Sequence, residues 1–150
     1  MRTLGIDYGD RRVGIAISDP LGSIALGVCT ISVTGINDAV TKVSELCKEK
    51  DVSMIVVGLP LNMNGSRGEM VDRVEDFVSR LREATALPIN MYDERLSSAM
   101  VERTLLDADM SRKKRKGVID KLAAQAILQG YLDREAFQLG TDVPYQGEDD

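Results

Sequence analysis

The sequence predicts an α/β fold built on a mixed sheet, and three observations predict it. Residues 4–19 alternate apolar with small or polar side chains on either side of a turn, the pattern of a β-hairpin. Residues 52–58, Val-Ser-Met-Ile-Val-Val-Gly, are apolar on both faces, as a buried parallel strand is. Segments with apolar residues at helical spacing lie before and after that strand and carry the chain between parallel strands.

The hairpin sorts its side chains by face. Leu4, Ile6, Val13, Ile15 and Ile17 make an apolar face, and Gly5, Asp7, Gly14, Ala16 and Ser18 make the other. Missing side chains in a strand mark a place where something comes close to the backbone. A charge inside an apolar strand is costly to bury without a partner. Asp7 is therefore the first candidate site residue, with an ordinary strand-end aspartate as the alternative. A third strand over 24–31, with Ile24, Leu26 and Val28 alternating, completes a meander.

A helix over 38–50 aligns Val40, Val43, Leu46 and Cys47. The strand over 52–58 follows it and ends in a loop rich in Gly and Asn. Ser66 and Glu69 fit a capping box, which opens a helix to residue 84 with the stripe Val71, Val74, Phe77, Val78 and Leu81. The start of that helix, beside Asn62, Asn64 and Ser66, is suited to an anion through free backbone N–H groups; simple punctuation is the alternative.

Residues 88–92 read as the fifth strand, ending in Asp93-Glu94-Arg95. Ligands collect outside the carboxyl ends of parallel strands, so Glu94 or Asp93 is the second candidate. Adjacent strand residues point to opposite faces, and the register leaves the choice open. A helix over 97–107 precedes Arg112-Lys113-Lys114-Arg115-Lys116, which reads as a charged loop and a candidate phosphate contact. The last helix, over 118–137, places Asp120, Ala123, Ala124, Ile127 and Tyr131 on one face. Asp120 thus lies on the core-facing stripe, and the two alanines let the helix lie close to the sheet. Residues 1–137 are expected to form one domain, and 138–150 a flexible acidic tail.

Composition narrows the chemistry. The chain has no His and two Cys, which removes His-based triads and most zinc sites and points to a reduced compartment. Acid–base or metal work falls to carboxylates, whose oxygens suit Mg²⁺ or Mn²⁺. The net charge of −5 argues mildly against a nucleic-acid partner, but the five consecutive basic residues make a compact patch that a whole-chain charge hides. No apolar run approaches the roughly 20 residues that span a bilayer, and no secretory pattern opens the chain. A cytoplasmic protein without membrane contact is expected.

Four blocks carry a resemblance to a known family. They are Gly5-Ile6-Asp7-Tyr8-Gly9 with Arg12, Gly14, Ala16, Ser18 and Asp19; Val57-Gly58-Leu59-Pro60 with Gly65; Asp93-Glu94-Arg95-Leu96-Ser97; and Asp120-Lys121-Leu122-Ala123-Ala124-Gln125-Ala126-Ile127-Leu128. In this order they resemble the YqgF family, whose members are described as Holliday-junction resolvases and as nucleases of precursor 16S ribosomal RNA. The resemblance implies a ribonuclease-H-like fold, a five-stranded mixed sheet with helices on both faces. It also implies a metal-dependent endonuclease, with Asp7, Glu94 and Asp120 as catalytic residues and ligands of Mg²⁺ or Mn²⁺. Two ions about 3.5–4 Å apart can activate water and relieve charge on the leaving oxygen. Arg12, Arg95, Lys113, Lys114 and Arg115 are then expected to hold phosphates, and Asn62, Asn64, Ser66 and Ser97 to line the nucleic-acid path. The implied partner is structured RNA or branched DNA, and a resolvase implies a homodimer. An actin-like ATPase half-domain shares the opening hairpin, and a non-catalytic nucleic-acid module is the third reading.

Overall fold

The computed structural model describes residues 2–98 and 112–142, with side chains from 118 to 138 in the last helix. Its elements are β1 (Arg2–Tyr8), β2 (Arg12–Ser18), β3 (Ala25–Ser32), α1 (Ile36–Glu49), β4 (Val52–Leu59), α2 (Glu69–Thr85), β5 (Ile89–Asp93), a 3₁₀ turn (Glu94–Leu96) and α3 (Arg112–Asp142). The strands lie in the order β3-β2-β1-β4-β5. The first three are antiparallel, and β4 and β5 run parallel to β1. The expected mixed sheet with a meander and two parallel strands is the observed one.

The two faces of the sheet separate as the hairpin pattern predicts. Leu4, Ile6, Tyr8, Val13, Ile15, Ile17, Ile55 and Val57 pack with α1 and α2. All five residues of the α2 stripe are buried, and Phe77 stacks on Tyr8 with ring centroids 4.5 Å apart. Each such side chain contributes about 1.5–3 kcal/mol on burial. The other face carries Ala16 and Val56 against Ala123, Ala124, Ile127 and Leu128 of α3. Here the helix comes very near. A Cβ on Gly5 would lie 2.7 Å from Leu128 Cβ and 3.2 Å from the Ala124 carbonyl oxygen.

Several local expectations are corrected. Ser66 does not cap α2. The helix starts at Glu69 behind Gly68, without a side-chain cap, because Ser66 Oγ already accepts from Asn62 Nδ2 at 2.9 Å and donates to Asn64 Oδ1 at 2.6 Å. A nearer donor four residues back has captured the oxygen. The third strand starts at Ala25, one residue after the expected Ile24, and Ile24 and Leu26 are half exposed at the sheet edge. The basic run is not a loop, since Arg112 to Lys116 form the first turns of α3. Lys and Arg are good helix formers, and a helix anchored further along extends through them. The same helix continues to Asp142, past the expected tail boundary at 138. The helix expected over 97–107 lies, from residue 99 on, outside the described residues, as does the tail from 143.

Candidate active site

Asp7 sits in the middle strand of the sheet, between two glycines. It pairs with Gly14 of β2, and Gly58 of β4 lies one step beyond the Ile6–Val57 pair. Neighbouring strands are about 4.8 Å apart, so both glycines lie directly beside it. Each bare position is filled by something else. A Cβ on Gly14 would run into the backbone carbonyl of Asp120, so the start of α3's packed half lies on that spot. A Cβ on Gly58 would lie 2.8 Å from Glu94 Oε2 and 2.6 Å from Ile127 Cδ1. The two glycines are the bare positions on which the Asp120 backbone and the Glu94 carboxylate lie.

The three acids differ in their surroundings. Asp7 is 8% exposed and Glu94 4%. Taking two carboxylates this far out of water is expensive unless charge or hydrogen bonds compensate. Asp120 is more open, and its Oδ2 accepts a hydrogen bond from Arg12 Nε at 2.9 Å. Among the described residues, no three acidic side chains are drawn together into a set that could hold a metal ion.

The neighbours Asp93 and Glu94 part company at the end of β5. Asp93 caps the 3₁₀ turn, accepting from Arg95 N at 2.9 Å, and is ion-paired with Arg95 Nη2 at 2.6 Å. The guanidinium of Arg95 holds the Asp93 carboxyl below the usual carboxylate range. Glu94 turns inward over Gly58. The Ser97 hydroxyl donates to the Glu94 carbonyl at 2.9 Å and closes the turn beneath it.

Arg95 also donates through Nη1 to the Met63 carbonyl at 3.3 Å, tying the β4–α2 loop to β5. That loop is knit internally: Asn62 Nδ2 donates to Ser66 Oγ, and Ser66 N to Asn64 Oδ1, both at 2.9 Å. Gly65 supplies the left-handed corner at φ 87°. Asn62, Asn64, Ser66 and Arg95 thus shape a loop beside the site. Lys113, Lys114 and Arg115 lie on α3 ahead of Asp120, with side chains outside the described set. Thiol chemistry is absent from this centre. Cys47 packs in the opposite core, where burial pushes its thiol up to about 11.

Sequence reasoning assigned Arg12 only to phosphate and missed its pairing with Asp120. No spacing rule links residues 108 positions apart. The seating of Glu94 on Gly58 left one trace, a glycine at the end of a parallel strand.

A family model described as RuvX, Holliday junction resolvase, matches residues 1–134. A Bacillus cereus protein is 50% identical over 137 residues, covering 90% of this chain and all of its own length. A Syntrophomonas wolfei protein is 49% identical over 133 residues, covering 89% of this chain and 94% of its own. Both are provisionally named pre-16S rRNA nuclease. Among solved structures, Thermus thermophilus RuvC in complex with a Holliday junction superposes with a TM-score of 0.56 at 12% identity, covering 91% of this chain and 96% of that one. That similarity establishes the ribonuclease-H-like fold.

Proposed function

The chain belongs to the RuvX family, and on that premise we propose a divalent-metal-dependent endonuclease that processes the ends of precursor 16S ribosomal RNA. That it is a nuclease, a hydrolase of ester bonds, follows from the family; the metal and the RNA substrate are our reading. The observation that carries the metal is the seat of Asp7. A buried carboxylate stands between two glycines, one covered by a second buried carboxylate and the other by the backbone of a third. These are hard oxygen donors, with no His in the chain, and they fit Mg²⁺ or Mn²⁺.

In this reading Asp7 and Glu94 hold two ions together with Asp120, and the bound metal supplies an activated water and charge relief at the leaving oxygen. The protein's own groups do the rest. Arg12 and the basic first turns of α3 bind phosphates. Arg95 acts through Asp93 and Met63, fixing the loop that flanks the strand ends. Ser97 braces the turn that aims Glu94. Residues 1–137 work as one nuclease domain. Among the described residues no helix is long and apolar enough to cross a membrane, in keeping with action in the cytoplasm.

The experiment pairs Asp7→Asn with the unaltered chain on precursor rRNA, Holliday-junction DNA and linear DNA, each with Mg²⁺, Mn²⁺ or chelator. Cleavage of the precursor alone is expected, falling at least about a hundredfold in the variant, since even partners of metal ligands are worth that much. Full cleavage by Asp7→Asn refutes the site. Cleavage of the junction instead selects the second reading, a two-fold resolvase acting as a homodimer, which the family description favours.

A further inference from the structure

The Arg12–Asp120 pair is more than an anchor. Asp120's backbone is already held, because its carbonyl lies on Gly14, and Ala123 and Ala124 seat the following turn in the core. The side-chain pair adds little to that placement. It is half open to water, with side-chain exposures of 38% for Arg12 and 20% for Asp120. What it does is occupy an oxygen of the most open of the three proposed ligands. A guanidinium and a metal ion cannot use the same carboxylate oxygen fully at once. The guanidinium has an alternative, since its fork fits a phosphate as well as a carboxylate.

We propose that Arg12 is a positioning residue that withholds Asp120 from the metal until a phosphate of the nucleic acid draws the guanidinium away. This rests on the metal reading above and adds the order of assembly. Arg12 opens β2 at the end of the sheet where Asp7 and Glu94 lie, and Gly14, two residues on along the same face, lies under Asp120. A swing of one long, part-exposed side chain is all the exchange requires. Metal and nucleic acid then strengthen each other's binding by equal factors. The metal site is completed only on substrate, which limits stray hydrolysis.

The test uses the full chain, Arg12→Met, Arg12→Lys and Asp7→Asn. Mn²⁺ binding is measured by calorimetry with and without a phosphorothioate oligonucleotide. The Arg12 Nε–H resonance, assigned by its loss in Arg12→Met, is followed during Mg²⁺ addition and then oligonucleotide addition. Without oligonucleotide, Arg12→Met is expected to bind Mn²⁺ about fivefold more tightly than the unaltered chain, the scale of a part-exposed ion pair. Arg12→Lys, which keeps a cation on Asp120, is expected to match the unaltered chain and shows that a disturbed fold is not the cause. The Nε–H resonance is expected to stay in place with Mg²⁺ alone and to shift once oligonucleotide is added. Equal Mn²⁺ affinities in the unaltered chain and Arg12→Met, or an unmoved resonance at saturation, overturn the latch. If Asp7→Asn still abolishes Mn²⁺ binding in that case, the metal reading stands without the latch. Mn²⁺ binding indifferent to Asp7→Asn removes both.

Discussion

The two faces of one sheet are built on opposite principles. Against α1 and α2 the strands present Leu, Ile, Val and Tyr, and Phe77 fills the space between. Against α3 they present Gly5, Gly14, Ala16 and Gly58, and a helix with Ala123 and Ala124 comes down onto bare backbone. The first face gains stability from buried volume. The second gives up volume so that Asp7, Glu94 and Asp120 are carried to one end of the sheet. With the proposed function, stability and chemistry are thus divided between the two sides of the same strands.

This contrast predicts opposite sensitivities, the first face to lost carbon and the second to added carbon. Phe77→Ala is expected to cost about 3–5 kcal/mol by denaturant unfolding. That is a large part of the roughly 5–15 kcal/mol that holds a domain together. Cleavage per folded molecule should be unchanged. Gly14→Ala adds one methyl where the Asp120 carbonyl lies. Backbone cannot step aside as a side-chain tip can, so a loss of about 1–3 kcal/mol is expected, with activity falling beyond what unfolding explains. A neutral Gly14→Ala would mean that α3 does not lie on that strand.

Gly58→Ala sharpens the comparison. Its methyl meets the flexible ends of Ile127 and Glu94 rather than backbone. The stability cost should be near 1 kcal/mol, at the low end of overpacking. Because Glu94 must move, cleavage should fall about ten- to a hundredfold, the scale of a misplaced ligand. Stability and activity measured together then separate the seat of Glu94 from general packing.

Much of this division was legible in the sequence. The alternation of Leu4 and Ile6 with Gly5 and Asp7 assigns the hairpin faces without coordinates. The α2 stripe and the two-sided apolarity of β4 are equally direct, because burial fixes their periods. The misreadings share a cause, namely competition that periodicity does not record. Ser66 had a nearer donor, Asn62 Nδ2, than the helix. The basic run looked solvated, yet the helix beyond it set its conformation. Asp93 and Glu94 could not be told apart because the strand ends between them and a 3₁₀ turn begins.

That last pair supplies the smallest expected effect. Asp93 and Glu94 are adjacent, yet one serves the frame and the other the proposed site. With Arg95 beside it, Asp93 has a folded-state pKa below its unfolded value of about 3.9. A depressed carboxylate stabilises the fold above the unfolded pKa, and that share is lost as pH falls through the folded value. Asp93→Asn keeps an oxygen to accept from Arg95 N but removes the charge. It should therefore cost at most about 1 kcal/mol near neutrality. The gap from the unaltered chain should close as the pH is lowered below about 4. Unfolding curves of the two proteins across that range measure it. A gap that persists at low pH would show that Asp93 acts by shape rather than by charge. Glu94 would then owe its inward turn to the packing of the 3₁₀ turn and Ser97 instead of to the ion pair next to it.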